Sequence, residues 1–219
     1  IVLGPAMRAD VILDCSGAPG SAASVIDRFY KGREYRLVDL AYARAPLRDW
    51  MPDWPVELPA NPLPSPDLAD AISHDVIFNG GMMGGGVMRD MGGAMGGGGN
   101  GGMREMMHSE KIWFINGIAA TGHVMEPMLT LARDRSHLIA MTNATAWHHP
   151  IHLHGHSFRV ISRNGVATRH GEWRDTVLMA PREKVEIALV ADNPGDWMFH
   201  CHILEHMAAG MMGVIRVAK

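Results

Sequence analysis

The chain has 219 residues, of which 47% are hydrophobic and 20% are charged, an ordinary balance for a globular protein. Its formal net charge of -3 gives no basic surface of the kind that binds nucleic acid. No apolar stretch approaches the roughly 18 residues that a membrane-spanning helix requires. The two cysteines, Cys15 and Cys201, allow at most one disulfide bridge and no disulfide framework.

Short apolar runs between turn residues predict β-strands in the first part of the chain. Two such runs flank Gly4-Pro5 within residues 1–14, and a third runs from Tyr35 to Tyr42. Residues 45–70 contain seven prolines, a density typical of an extended linker. The chain begins Ile-Val-Leu-Gly-Pro, without an initiator methionine or a basic leader, so either a signal peptide was removed or the chain begins within a longer protein, which is the interpretation we favour.

A strand predicted over 75–79 precedes a low-complexity tract, residues 80–107, that holds 13 glycines and 8 methionines. No packed core can form from such a composition alone. Further strands are predicted beyond it, with turns at Asn116-Gly117, Asn164-Gly165 and Asn193-Pro194-Gly195. Many short strands at even spacing predict an all-β sandwich or barrel. The predicted strands after the tract are Lys111–Asn116, Ser136–Thr142, His152–Ser162, Thr176–Ala180, Val185–Ala191, Trp197–His202 and Gly213–Val217.

Two histidine clusters carry the chemistry. The first is the run from Trp147 to His156, and the second is the run from Phe199 to His206, followed by Met211. Because alternate residues of a strand point to opposite faces, each cluster divides by parity. If the two strands pack together, two separate metal sites result. One set is His152, His154, His200 and His202; the other is His149, Cys201, His206 and Met211.

The set that contains the thiol has the ligands of a blue-copper site. A thiolate and two imidazoles with a weak axial thioether favour one-electron copper chemistry. The all-imidazole set suits copper that binds oxygen species. Because Cys201 is covalently continuous with His200 and His202, a short through-bond path would join the two sites. A structural zinc site is the rival interpretation, although zinc needs only four ligands and no arrangement on two faces. Scattered histidines without a metal role are the simplest alternative.

These motifs resemble those of the multicopper oxidases, of the laccase and periplasmic copper oxidase type. The run His149-Pro150-Ile151-His152-Leu153-His154-Gly155-His156 resembles the third copper motif of that family, and His200-Cys201-His202-Ile203-Leu204-Glu205-His206 with Met211 resembles the fourth. The segments 173–177 and 192–197 are also similar to the family, and 8–11 is similar to the end of its middle domain.

The resemblance implies a cupredoxin-like Greek-key β-sandwich. Residues 1–44 would be the end of a middle cupredoxin domain, 45–70 a Pro-rich linker, and 71–219 a complete C-terminal cupredoxin domain with the Met/Gly-rich insert at 80–107. It also implies that His149, Cys201 and His206 hold a type 1 copper with Met211 as axial ligand. His152 would be a type 2 ligand, and His154, His200 and His202 would be type 3 ligands.

By the same resemblance, electrons pass singly from phenols, amines or Cu(I) to the type 1 copper, and dioxygen, the co-substrate, is reduced to water at a trinuclear cluster. Cys201, His200 and His202 would carry the electrons. That cluster needs eight histidines, and this chain supplies four. No His-x-His pair occurs in residues 1–146, where the histidines are His74, His108, His123 and His137. We therefore expect a fragment that lacks its N-terminal cupredoxin partner and is inactive alone.

Two other functions remain open: an isolated blue-copper module for electron transfer, and a copper-binding or tolerance protein. The thioethers of the Met/Gly tract suit Cu(I), so the tract is either a cuprous site or a solvated loop. The position directly after His206, acidic in some cuprous oxidases, is Met207 here. The family is largely periplasmic or secreted, which implies the same location for this chain.

Overall fold

A computed structural model of the chain describes residues 1–46, 50, 53, 56–81, 111–121 and 126–218. Almost all of the Met/Gly tract, together with His108 and His123, lies outside the described residues. The chain divides into two compact units. The first comprises residues 1–2 and 9–62, and the second comprises residues 3–8 and 63–219.

The first unit contains one antiparallel strand pair, β1 (Ala22–Asp27) with β2 (Tyr35–Ala41). A bulge between Val25 and Ile26 shifts the register of the pair. The predicted strand at 35–42 is confirmed, whereas β1 was not predicted. The two strands predicted within residues 1–14 are wrong, because the described residues form no β-ladder there and Met7 N–H instead donates to Gly4 O at 3.1 Å in a turn. An apolar run becomes a strand only where a neighbouring strand supplies hydrogen-bond partners.

The second unit is a sandwich of two sheets. One sheet has the strand order β10-β8-β12-β6-β3-β4, with β9 paired to β8, and the other has the order β11-β7-β13-β14-β5. The pairs β3–β6 and β5–β14 are parallel and the others are antiparallel. The strands are β3 (Ile72–Gly80), β4 (Trp113–Ile115), β5 (Leu129–Leu131), β6 (Ser136–Asn143), β7 (His149–Leu153), β8 (Phe158–Arg163), β9 (Val166–Ala167), β10 (Trp173–Arg174), β11 (Thr176–Met179), β12 (Lys184–Val190), β13 (Gly195–Cys201) and β14 (Met212–Val217).

The core lies between these two sheets. Every second residue of β6 and of β8 is buried, as expected for strands with one face on a core. Phe78 of the first sheet and Phe199 of the second are both fully buried, with ring centroids 6.0 Å apart. The predicted all-β sandwich is confirmed. No helix among the described residues has the length and apolarity to cross a membrane.

The turns follow the predicted dipeptides. Asn164 and Gly165 have φ of 50° and 77° and close the β8–β9 hairpin, the geometry in which Asn-Gly is favoured.

The single strand predicted over His152–Ser162 is wrong. It is two strands, β7 and β8, which belong to different sheets. Gly155 between them has φ of 72°, a conformation that ends the extended backbone.

Candidate metal centre

Strands β7 and β13 lie side by side in the middle of the second sheet. In their antiparallel register His200 is opposite His152, and Cys201 is opposite Ile151. Because facing residues of a pair point to the same side, His152 and His200 share one face of the sheet and Cys201 points to the other. His149 has the same parity as Ile151, so it lies on the face of Cys201. The predicted division of these residues between two faces is confirmed.

A triangle of three donor atoms lies on the Cys201 face. Cys201 Sγ is 3.6 Å from His149 Nδ1 and 3.7 Å from His206 Nδ1, and the two nitrogens are 3.1 Å apart. His206 is brought to the triangle by a one-turn helix, α1 (Leu204–Ala208), which follows β13 and was not predicted. Bonds from a first-row metal ion to nitrogen and sulfur are about 2.0–2.3 Å, so one ion can contact all three atoms.

Burial keeps the free triangle uncharged. His149 and Cys201 are fully buried, and His206 is partly exposed. Burial lowers the pKa of His149 to about 3, with further lowering from the nearby His206 and His148. Burial also raises the pKa of the Cys201 thiol to about 12, although a hydrogen bond from Ile203 N–H to Sγ, at 3.5 Å, acts in the opposite direction. A bound metal would therefore have to displace the thiol proton.

Met211, the predicted axial ligand, follows α1 and is fully buried. Its backbone bonds to two residues of the triangle: Met211 N–H donates to His206 O at 3.0 Å, and Cys201 N–H donates to Met211 O at 3.1 Å. The preceding Gly210 has φ of 118°, and a Cβ there would lie 2.4 Å from Trp113 O. The chain can therefore turn Met211 back to Cys201 only with glycine at this position.

Four imidazoles lie together on the opposite side. His154 Nε2 is 3.0 Å from His200 Nε2, and the ring centroids of His152 and His154 are 4.7 Å apart. The ring centroids of His200 and His202 are 5.5 Å apart, and those of His152 and His202 are 5.7 Å apart. Among the described residues, His149, Cys201 and His206 alone converge on the position of a single ion. No three of the four imidazoles bring their ring nitrogens within the same distance of one another as the three donor atoms of the triangle.

Hydrogen bonds from Nδ1 leave the lone pair of two of these imidazoles on Nε2. His200 Nδ1–H donates to Cys201 O at 2.9 Å, and His152 Nδ1–H donates to Asp175 O at 2.9 Å. Burial is the main cause that lowers the pKa of His154 and of His200. A neutral imidazole binds a metal through the ring nitrogen that carries no proton, which is Nε2 in His152 and His200.

The His152 side opens to a cleft of about 570 Å³ that is lined by both His152 and His154. Asp175 also lines it and accepts a hydrogen bond of 2.5 Å from Arg8. Burial acts to raise the pKa of Asp175, but the bonds from Arg8 and Thr176 outweigh it and hold this pKa below its usual range. Arg8 thus contacts this site although it is 167 positions away from Asp175 in the sequence.

The histidines without an assigned metal role lie elsewhere. His148 is exposed, and His156 is buried with its ring centroid 5.9 Å from that of Trp197. His74 and His137, separated in sequence, lie side by side, with Nε2 of the first 2.9 Å from Nδ1 of the second. Both cysteines are free, so the structure has no bridge between Cys15 and Cys201.

Three residues at the triangle were not predicted. The ring of Trp113 packs on both imidazoles, with centroids 5.0 Å from His149 and 4.4 Å from His206. Thr145 Oγ1 lies 2.8 Å from His149 Nε2, and Asn143 bonds to Thr145. The only sequence signal for any of them was the pattern Asn143-x-Thr145. Asn and Thr side chains often form hydrogen bonds to the backbone two residues further along the chain.

The donor set fits copper. A thiol and two imidazoles in one plane, next to a buried thioether residue, are the ligand types of blue-copper sites, and imidazoles with free Nε2 atoms are ligands of oxygen-binding copper. Zinc also accepts the first set, but nothing in zinc chemistry requires the second group of histidines on the other face of the same strands.

Comparison with known proteins also indicates the multicopper oxidase family. Residues 101–219 match the family model described as multicopper oxidase. The chain is 49% identical over 69 residues to the multicopper oxidase MmcO of Mycobacterium tuberculosis, a match that covers 32% of this chain and 13% of that protein. It is 43% identical over 95 residues to Laccase-2 of Fomitopsis schrenkii, covering 41% of this chain and 18% of that protein.

Solved structures extend the likeness over nearly the whole chain. A multi-copper oxidase from Pseudomonas thermotolerans has a TM-score of 0.63 and 27% identity, covering 91% of this chain and 41% of that one. The McoA multicopper oxidase of Aquifex aeolicus has a TM-score of 0.67 at 19% identity, covering 93% of this chain and 42% of that one, and shows the fold alone. The fold is thus the predicted cupredoxin-like Greek-key sandwich. The chain spans less than half the length of these relatives, and it belongs to the multicopper oxidase family.

Proposed function

We propose that the chain is the C-terminal part of a laccase-like copper oxidase, which takes single electrons from phenols, amines or Cu(I) and passes them to dioxygen, which is reduced to water. One observation carries this proposal: the same two strands, β7 and β13, present His149 and Cys201 of the thiol triangle on one face and His152 and His200 of the four imidazoles on the other. Cys201 belongs to one group and is joined by peptide bonds to both His200 and His202 of the other.

The ligand assignment follows the two faces. His149, Cys201 and His206 would hold a type 1 copper, with the buried Met211 as axial ligand. His152 would bind a type 2 copper, and the type 3 ligands would be His154, His200 and His202. Copper bound there supplies a one-electron carrier and a centre for dioxygen reduction.

The residues of the chain provide the route for electrons. His206 is the partly exposed member of the triangle, whereas His149 and Cys201 are fully buried, so a reductant approaches through His206. From the Cys201 sulfur the route follows the main chain to His200 and His202. The hydrogen bond of 2.9 Å from His200 Nδ1–H to Cys201 O adds a second, shorter connection.

The remaining part of the oxygen centre belongs to a partner. Residues 1–44 would end a middle cupredoxin domain, 45–70 would form the linker, and 71–219 would form the C-terminal domain. Because the chain supplies four of the eight histidines, an N-terminal cupredoxin domain with two His-x-His pairs would complete the cluster. We place the whole protein in the periplasm or outside the cell, where copper and dioxygen chemistry is usually kept.

An isolated blue-copper module is the second candidate. The observation that favours it is the lack of any His-x-His pair in residues 1–146. Such a module would carry electrons or hold copper without reducing dioxygen.

Copper loading followed by oxygen uptake tests both candidates. The loaded chain should show an absorption band near ~600 nm from Cu(II)–thiolate bonding, and no oxygen uptake with a phenol or with Cu(I). Uptake should begin when the chain is produced together with its upstream sequence. Absence of the band would contradict the ligand assignment. Oxygen reduction by the isolated chain would contradict the proposal that it is an inactive part of a larger oxidase. A longer chain without oxidase activity would favour the isolated blue-copper module.

A further inference from the structure

The connection from the end of β6 to β7 carries a buried hydrogen-bond network that ends on one residue of the triangle. Asn143 and Thr145 are both fully buried, as is His149, to which Thr145 Oγ1 bonds at 2.8 Å. Each polar side-chain atom of Asn143 and Thr145 has a partner, so the direction of each bond can be worked out.

The amide of Asn143 has a fixed orientation. Its Nδ2 lies 2.8 Å from two carbonyl oxygens, those of Trp147 and Ala180. Carbonyl oxygens only accept, so the atom that faces them must be the NH₂ group, which has two hydrogens to donate. Asn143 Oδ1 therefore faces Thr145 and accepts from Thr145 N–H at 3.0 Å.

The hydroxyl of Thr145 has one hydrogen, and its direction follows. Oγ1 lies 2.8 Å from Asn143 Oδ1. If the hydroxyl donated elsewhere, two oxygen lone pairs would face each other at this distance, so the hydroxyl donates to Asn143. Trp147 N–H donates to Oγ1 at 3.1 Å and uses one of its two acceptor positions. The other acceptor position faces His149.

His149 must therefore be the donor in the remaining bond. With its proton on Nε2, the neutral ring has a lone pair on Nδ1, the atom that is 3.6 Å from Cys201 Sγ. We propose that Asn143 and Thr145 are positioning residues that hold His149 in the Nε2–H tautomer, with Nδ1 directed to the Cys201 thiol. This inference rests on the proposed function, because it concerns one ligand of the type 1 site.

Two substitutions at one position separate the hydroxyl from the volume of the side chain. Thr145→Val keeps the shape and removes the hydroxyl, whereas Thr145→Ser keeps the hydroxyl. Loss of a hydrogen bond to a metal-bound histidine lowers metal affinity about 10–100-fold. We therefore expect Thr145→Val to weaken copper binding by about that factor and to alter the copper hyperfine splitting and the ~600 nm band. Thr145→Ser should stay within about threefold of the wild type in affinity.

A measurement on the metal-free wild-type chain needs no variant. The ¹⁵N shifts of labelled His149 should show a protonated Nε2 and an unprotonated Nδ1. The opposite tautomer would overturn the inference, as would equal copper affinity and equal spectra for the valine and serine variants. Loss of the blue band in the wild type would instead refute the ligand assignment, and the tautomer measurement would still decide the role of Thr145. If the valine variant fails to fold by circular dichroism, the tautomer alone decides.

Discussion

His200 and His152 lie directly opposite each other in the antiparallel pairing of β13 and β7. Their neighbours Cys201 and Ile151 form the next pair, on the other face of the sheet and fully buried. A slip of one residue would move every side chain of a strand to the wrong face, and burial of Cys201 and Ile151 opposes such a slip. The same hydrophobic contacts that stabilise the sandwich therefore keep the two groups of donors apart.

The two free cysteines predict a matched pair of substitutions. Cys201→Ser should abolish the ~600 nm band of the copper-loaded chain, because the band depends on the thiolate. Cys15→Ser should leave the band unchanged, since Cys15 is exposed and free. Absorption spectra of the two variants after equal copper loading provide the measurement. A band that survives in Cys201→Ser, or disappears in Cys15→Ser, would show that a different thiol binds the copper.

The stability of the metal-free chain should depend on pH through the buried triangle. The pKa of His149 is about 3 in the fold, against an ordinary value of 6.5. Between these values the unfolded chain binds a proton that the folded chain does not, so the free energy of unfolding rises with pH across about 3–6.5. For Cys201 the pKa rises from 9.0 to about 12, and stability should fall as the pH increases between them.

Urea unfolding of the metal-free chain at a series of pH values measures this dependence. His149→Gln should flatten the slope between about pH 4 and 6, because it removes one group that protonates only on unfolding. His170→Gln is the control, since His170 is exposed and is not among the groups that lower the pKa of His149. Equal slopes for His149→Gln and the wild type would contradict the assigned pKa.

Strand parity was sufficient to divide the candidate metal ligands between two faces, because a period of two holds wherever a strand is straight. His152 and His200 were therefore correctly predicted on one face, and His149 and Cys201 on the other. The break between β7 and β8 could not be predicted in the same way. It depends on Trp197, whose ring lies where a side chain at residue 155 would be, and this contact joins residues far apart in the sequence.

Hydrogen bonds between residues far apart in the sequence are the second feature that could not be predicted from the sequence. The bond from Arg8 to Asp175 spans 167 positions, and no local pattern indicates it. Likewise, the turn residues around Asn143 are visible in the sequence, but their bond to Ala180 comes from the fold. The apolar runs in residues 1–14 failed as strand predictions for the same reason: a pattern specifies what a segment can bury, and a neighbouring strand must supply its backbone partners.

Gly155 predicts a large loss of stability from a small substitution. It has φ of +72°, and an added Cβ would lie 2.3 Å from Trp197 Cδ2. Gly165 is a matched control, because its φ is +77° with nothing within 4 Å of the added atom. The left-handed conformation costs about 1–2 kcal/mol for alanine at either position. Gly155→Ala should lose a further ~1–3 kcal/mol through overpacking. Equal losses in urea unfolding would show that the Trp197 ring can move aside.

We expect Trp147 to assist electron transfer from aromatic reductants but not from other reductants. Its side chain is 48% exposed, and its ring centroid lies 6.4 Å from that of His206, the partly exposed member of the triangle. An aromatic reductant can stack there, a contact worth about 0.5–1.5 kcal/mol. Stopped-flow reduction of the blue band measures electron entry without the oxygen centre. We expect Trp147→Ala to slow reduction by a neutral phenol about 2–12-fold, which is that energy expressed as a rate.

Hexacyanoferrate(II), which has no ring, should reduce both proteins at similar rates, and Val166→Ala, at an exposed apolar residue of β9, should leave the phenol rate unchanged. An equal slowing with both reductants would show that the substitution disturbs the copper site itself, and an unchanged phenol rate would show that reductants approach His206 from another side.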